Sequence, residues 1–491
     1  MSGERLPAAV ARELAASLVA EIAAASPELL RLDGIGLDGA LEQQLFFALR
    51  DGSVPRGGLP GRLGRAISDA GRLLAALGAS LLWWRAPRIG PRPIVAMIAA
   101  PVHAAALLQI EGELQVIASE TVAIVRVGRA AGAAVPHAVA PRLVELLHPR
   151  AIPPLLRYAG TVRARLGGAT AGWSRMVTPA RARELRQLAT VELTRIALGA
   201  TALASVVRHW QPRLLVAFDE VGTWARVLPA VGRRFGIATL DLPHAEAADA
   251  VAIHGAGYDR MAVYGSRAAS VLAAAGIPRE RIVEIGAPRF DALMAGGAAE
   301  MPVLRRRVVF AAQYLQGAMT RELLELSFFG ARAAAEALAP AELVVVPHPV
   351  EQPGLAAGIV ADNQPPPGVE ISIAPAGDLH AALTGATLLV TGWSNSVLEA
   401  ACLGVPAITV IPSGVAPVDF AAEGLAAAAS DAAEAAVAAR HLLDPAARDE
   451  AIARAQAALV DHLGPLDGRA SERAARIMLT MAGRTDVEEP R

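Results

Sequence analysis

The stretch TGWSNSVLEAACLGVPAITV, residues 391–410, decides the fold. It begins at the end of an apolar run, TLLVTG (387–392), and crosses a few small polar residues. A helix is expected from Ser396 to about Leu403, followed by a second apolar run, AITVI (407–411). A short continuous apolar run, a polar turn, a helix and another apolar run read as strand, helix and strand of a parallel sheet buried on both faces.

The same alternation extends outward from that stretch. RRRVVFAAQ (305–313) and LVVV (343–346) predict two strands before it, then a loop rich in proline, DNQPPPG (362–368), and a helix opening at Asp378. Further towards the N-terminus, PIVAMIA (93–99), a helix from His103 to about Ile117 and VAIVRV (122–127) repeat the theme. A long helix from about Ala180 to Arg208, LLVAF (214–218), a helix ending near Phe235 and IATLDL (237–242) complete it. The expected fold class is α/β, with two Rossmann-like halves and an N-terminal helical extension. The expected domains are 1–88, the extension; 89–300, an acceptor half; 301–470, a donor-nucleotide half; and 471–491, a terminal helix with a polar tail. In the extension, Leu14, Leu18 and Ile22 share one helical face and LEQQLFFALRD (41–51) reads as a second helix. Residues 130–180, with scattered Pro and Gly, give no clear pattern.

Composition excludes several classes. The formal net charge is −1, with 46 Lys+Arg against 47 Asp+Glu, so no partner that presents a nucleic-acid backbone is expected. Lysine is absent and every basic side chain is arginine, which excludes a Schiff-base lysine and a P-loop lysine. The single cysteine, Cys402, excludes an intramolecular disulfide and a cysteine zinc cluster. The N-terminus has no apolar core of a secretory signal, and Ile94–Ile110, interrupted by Pro101 and His103, reads as strand, turn and helix rather than a membrane span. A cytoplasmic location is expected. GRLLAALGASLLWWRAPR (71–88) has two readings: a helix packed on the next domain, or a peripheral membrane contact through Leu81–Trp84.

Ligands of open parallel sheets bind beyond the carboxyl ends of the strands. That rule selects DEVG (219–222), LPHAE (242–246), PHP (347–349) and WSNS (393–396). In the last, a helix N-terminus with Ser394, Asn395 and Ser396 suits a phosphate. The same residues also fit a capping box between Ser396 and Glu399, with no ligand at all. His348, held between two prolines, can donate to a phosphate or act as a proton donor, or be an ordinary loop histidine. No Walker loop, HExxH or DxD pair is present, so no metal site and no resident cofactor are expected.

PHP after an apolar strand, then a strand leading into Ser-Asn-Ser-x-x-Glu-Ala and LG-VP, resembles the donor half of GT-B glycosyltransferases. The pattern is similar to bacterial surface-polysaccharide enzymes related to polysialyltransferases and CDP-glycerol glycerophosphotransferases. MAVYGSRAASVLAAAGIPRERIVEIGAPRFDAL, from Met261, and LDGRASERAARIML, from Leu466, fit the same superfamily. The resemblance covers 210–480 well, 90–200 by general form, and not the first 88 residues. It implies a metal-independent transferase whose donor is a nucleotide-activated sugar and whose acceptor is a glycan or lipid-linked precursor. It implies that His348 contacts the donor phosphate, that Ser394 and Ser396 hold phosphate or nucleotide, and that Glu399 lies near the ribose. Asn395 and Gln313, which closes RRRVVFAAQ, are counted with the substrate-binding candidates. The acidic pair of the first half falls on Asp219 and Glu220, one of them the general base; Asp219 can equally be an N-cap. His244 sits where relatives carry a His-Gly pair, and is otherwise a loop histidine.

Three positions depart from the family pattern. Val346 stands where a basic residue usually precedes PHP, with Arg321 the arginine expected to compensate. Val221 precedes Gly222 after the acidic pair, and Ala245 follows His244. Two alternatives to a transferase therefore stand: a nucleotide-sugar 2-epimerase or hydrolase of the same fold, and a non-catalytic subunit that binds a nucleotide or glycan.

Overall fold

The computed structural model describes residues 6–51, 78, 92–98, 101–127, 143–218, 222–243, 250–296, 306–315, 319–349 and 351–484. The chain falls into two compact units. Met1–Val263, Ala269–Arg289 and Ser471–Arg491 form the first; Tyr264–Ala268 and Phe290–Ala470 form the second. Of the expected boundary region, 297–305 lies outside the described residues.

The first unit opens with the helices Ala8–Ala25 and Asp38–Arg50, joined through a small antiparallel hairpin of β1 (Arg31–Leu32) and β2 (Ile35–Gly36). Its main sheet holds β3 (Ile94–Ile98), β4 (Val122–Arg126), β5 (Leu214–Ala217), β6 (Ala238–Asp241), β7 (Arg260–Val263) and β8 (Ile282–Glu284). All pairings are parallel, in the order β4-β3-β5-β6-β7-β8. IVAMI and LLVA are buried at every position, as a sheet covered on both faces requires. One core cluster packs Ile94, Leu214, Val216 and Leu240 with Ile477 and Met478 of the C-terminal helix Ala470–Met481.

The helix Pro179–Trp210 starts at the N-cap Thr178, whose hydroxyl accepts from Arg181 N at 3.3 Å, with proline in its first turn. It stops at Gln211, which is left-handed at φ 47°. Among the described residues it alone is long and apolar enough to cross a membrane, yet 78% of its most apolar window is buried within the protein. The unparsed stretch contains the helix Ile152–Ala169, which buries Leu155, Tyr158, Val162 and Leu166. The Leu81–Trp84 segment lies outside the described residues.

The second unit holds β9 (Arg306–Ala311), β10 (Ala341–Val346), β11 (Val369–Ile373), β12 (Leu388–Thr391), β13 (Ala407–Val410) and β14 (Ala427–Ala429), again all parallel. The order is β11-β10-β9-β12-β13-β14. The chain steps outward from β9 to β11, then returns to the other side of β9 for β12. The topological switch point therefore lies between β9 and β12, where a doubly wound sheet binds its ligand. Val308, Phe310, Leu343 and Val345 pack on Phe328 of the helix Arg321–Ala337. The Phe310 and Phe328 rings meet edge-on with centroids 5.8 Å apart.

Candidate functional site

Three strands of the second sheet end side by side at this switch point. β9 runs into Ala312, Gln313 and Tyr314; β10 into Pro347 and His348; β12 into Gly392, Trp393, Ser394 and Asn395. The register that pairs Ala311 with Val346 levels the first two ends. Hydrogen bonds then fix the third: Thr391 Oγ1 donates to Ala311 O at 2.9 Å, and Trp393 N donates to Gln313 Oε1 at 2.9 Å. Gln313 thus ties the end of β9 to the turn after β12.

Tyr314 and His348 form the other side. Their ring centroids are 4.5 Å apart with planes at 41°. Burial pushes the His348 imidazole below its ordinary pKa and the Tyr314 hydroxyl above its own. Both are neutral near pH 7, so His348 offers one N–H donor and one acceptor nitrogen.

The turn after β12 differs from either reading of its sequence. The helix Ser396–Cys402 has Asn395 as its N-cap, with no side-chain capping bond. Ser396 N donates to Ser394 Oγ at 3.2 Å, Val397 N to Ser394 O at 3.1 Å and Leu398 N to Asn395 O at 3.0 Å. The first N–H groups of the helix are thus engaged within the turn rather than offered to a ligand. The Ser396–Glu399 capping box is not formed: Ser396 is buried and its hydroxyl has no hydrogen-bond partner among the described residues. Glu399 lies one turn into the helix, partly buried. Gln313, Tyr314, His348, Ser394, Asn395 and Glu399 are all half-buried at this edge.

Gly392 is required by close packing. A Cβ there would lie 2.5 Å from Gln313 Oε1 and 3.1 Å from Met319 Cε. Val346 is 4% exposed, so the position before PHP faces packed side chains rather than an open site. Arg321, the arginine expected to compensate, is bonded through its Nε to Glu325 on its own helix at 2.7 Å.

The fold thus brings together Gln313, His348, Ser394, Asn395, Ser396 and Glu399 at one edge of one sheet. Asp219, Glu220 and His244 lie outside the described residues, as do Val221 and Ala245. Sequence reasoning passed over Tyr314 and Thr391. Their signal was positional, since each stands at the carboxyl end of an apolar run. Among the described residues no group of three or more His, Cys, Asp or Glu is placed to hold a metal ion.

Comparison with solved structures extends this picture over most of the chain. A protein from Listeria monocytogenes described as a UDP-N-acetylglucosamine 2-epimerase is 15% identical, with a TM-score of 0.53 over 82% of this chain and 100% of that one. Staphylococcus aureus MnaA, solved with UDP, is 13% identical with a TM-score of 0.53, over 81% and 99% of the two chains. UDP-GlcNAc 2-epimerase from Neisseria meningitidis, bound to UDP-GlcNAc, is 11% identical with a TM-score of 0.51, over 79% and 100%. The chain has the GT-B fold. At these identities the likeness is one of architecture: two six-stranded parallel sheets, each a Rossmann-like half. No protein-family model and no curated protein sequence matches the chain.

Proposed function

We propose that the chain is an enzyme that binds a nucleotide-activated sugar at the carboxyl edge of its second sheet and transfers the glycosyl group to a glycan or lipid-linked acceptor. The observation that carries this reading is the convergence of Gln313, Tyr314, His348 and the Ser394–Asn395 turn at the switch point. A neutral His348 N–H, together with the side chains of Ser394 and Asn395, would hold the donor phosphates. These groups would stabilise the charge that develops on the leaving nucleotide, where prepositioned donors act most strongly. Tyr314 would shield one side of the imidazole from water. On the acceptor side, the family resemblance supplies the base as Asp219 or Glu220, which would deprotonate the acceptor hydroxyl. A cytoplasmic location and a role in surface-polysaccharide synthesis go with this reading.

One observation favours a second reaction at the same site. Three solved structures similar to this chain, at TM-scores of 0.51 to 0.53, are described as 2-epimerases or hold UDP. An epimerase would use the same donor contacts and need no acceptor. The test is a binding screen of CMP-, CDP-, UDP- and GDP-linked sugars, followed by turnover with and without acceptor. Consumption that requires an acceptor supports transfer; interconversion of the donor alone supports epimerisation. If no nucleotide sugar binds, the proposal is wrong.

A further inference from the structure

A cavity lined by several basic side chains lies in the first unit, whereas the site described above belongs to the second. The helix Pro179–Trp210 leads into β5, so Arg208 and His209 stand at the amino-terminal edge of that strand. The opposite edge is the one where strands end and ligands of such sheets usually bind. Beside Arg208 and His209, at the amino-terminal edge, a cavity of about 670 Å³ opens between the β1–β2 hairpin, the start of the helix Ile152–Ala169 and the end of Pro179–Trp210. Its apolar side comes from Leu32, Ile35, Pro154 and Ala204; its polar side from His148, Arg150, Arg208 and His209. A volume of this size with a few converging polar groups is what a small-molecule site requires.

The walls are held by specific bonds. Asp33 and Gly34, at φ 54° and 80°, make a two-residue turn between β1 and β2. Arg208 pairs with the Asp33 carboxylate, and Arg234 Nε donates to Asp33 O at 2.8 Å. A Cβ at Gly34 would lie 2.5 Å from Arg234 Nε. Two arginines on two helices thus clamp the hairpin tip that forms one wall.

Charge in the cavity is unbalanced. Among the described residues Asp33 is the one carboxylate that lines it, and it is paired with Arg208. The Arg150 guanidinium has no hydrogen-bond or ion-pair partner among the described residues. Burial, and then the nearby positive charges of Arg150 and His209, hold His148 below its ordinary pKa. Its Nδ1 accepts from Arg150 N at 3.1 Å, so the neutral ring carries its proton on Nε2. The cavity therefore gathers cationic and N–H donors over an apolar floor.

We propose that this cavity is a second binding site, for a small molecule with a phosphate or carboxylate head on an apolar body, Arg150 and His209 being its principal anion contacts. The site does not depend on the donor-side reading, because its residues belong to the other unit.

Calorimetric titration of the full chain with 1-naphthyl phosphate and with 1-naphthoate tests it. The expected result is saturable binding of at least one probe, weakened about tenfold or more in Arg150→Gln/His209→Gln. Both substituted residues are exposed, so the variant keeps its fold, which circular dichroism checks. The probe that binds more tightly identifies the head group. His348→Ala should leave the affinity unchanged. Absence of saturable binding by either probe, equal affinity in the double variant, or loss of binding in His348→Ala alone would each overturn the proposal.

Discussion

The Tyr314 and His348 rings lie 4.5 Å apart, one beyond β9 and the other beyond the adjacent strand β10. Burial holds the His348 pKa below its ordinary value, so the ring is neutral near pH 7 and serves as a hydrogen-bond donor rather than a fixed cation. A neutral donor can follow charge as it appears on a leaving phosphate, whereas a fixed cation would also hold the product.

Replacing His348 by alanine should lower turnover of the nucleotide sugar about 10²–10³-fold, the usual effect of losing one prepositioned donor. His348→Gln should recover part of it, since an amide N–H can reach the same acceptor. Steady-state kinetics with the donor identified by the binding screen measure both. Equal turnover in the alanine variant and the wild type would remove His348 from the site.

The same ring gives a signed pH effect. Its folded pKa lies below the unfolded value, because burial opposes the charged form. The stabilisation from the buried neutral ring is full above the unfolded pKa of about 6.5 and is lost as pH falls below it towards the folded value. His348→Gln should therefore show a smaller loss of stability than wild type between about pH 7 and 5 in urea denaturation. Tyr314→Ala should move the His348 titration back up towards the ordinary value, which proton NMR of the ring would follow.

Gly392→Ala should disturb the link between β9 and β12. The new Cβ would meet Gln313 Oε1 at 2.5 Å and break the hydrogen bond that Trp393 N makes there. A loss of about 1–3 kcal/mol is expected, with weaker donor binding. Gln313→Ala removes the clashing atom, so the double variant should be less destabilised than the sum of the singles. Thermal and urea unfolding of the four proteins measure the coupling.

Strands β3–β6, β9, β10, β12 and β13 were legible because a strand buried on two faces reads as a continuous apolar run, as IVAMI and LLVA do; the short β7 and the partly exposed β8, β11 and β14 were not read. The edge that carries the site was legible too, since it follows from where those runs end. The hydrogen bonding of the Ser394–Ser396 turn was not. Asn395 has helical angles, φ −58° and ψ −8°, so helical geometry begins one residue before Ser396 and the capping box cannot close. Tyr314 escaped notice because its partner is set by the β9–β10 register rather than by local spacing. The helix Ile152–Ala169 escaped because its prolines read as breakers, although they stand in the first turn, where proline is tolerated. Buried arginines were invisible to any reading that sorts residues by hydrophobicity.

Arg12 is one of these. It is 9% exposed, and its guanidinium donates to Val251 O at 3.0 and 2.8 Å, Ala252 O at 3.1 Å and Gln43 Oε1 at 2.9 Å. The helix Ala8–Ala25 is thereby built into the first unit. Arg12→Ala would leave several buried acceptors short of a donor and should cost about 2–4 kcal/mol. Arg12→Lys should rescue little, because an ammonium cannot reproduce the planar fork. Urea unfolding of both variants tests this; a lysine variant as stable as wild type would refute the fork.

Glu423 offers the complementary acid-side test. Arg267 Nε approaches both of its oxygens at 2.9 and 2.8 Å, and buried His462 Nε2 lies 2.9 Å from Oε2. Desolvation acts to raise the Glu423 pKa, but the hydrogen bonds from His462 and Arg267 outweigh it and hold the carboxyl below its usual range. Its contribution is therefore complete above the unfolded carboxyl value of about 4.3 and is lost as pH falls through the lower folded value. Glu423→Gln should cost about 2 kcal/mol near neutrality, the worth of a hydrogen bond to a charged group. The gap between variant and wild type should close as the solution is acidified below that range, because the wild-type carboxyl is then protonated as well. Chemical denaturation at a series of pH values measures the gap, and one that stayed constant into acid would show that the carboxylate charge contributes nothing.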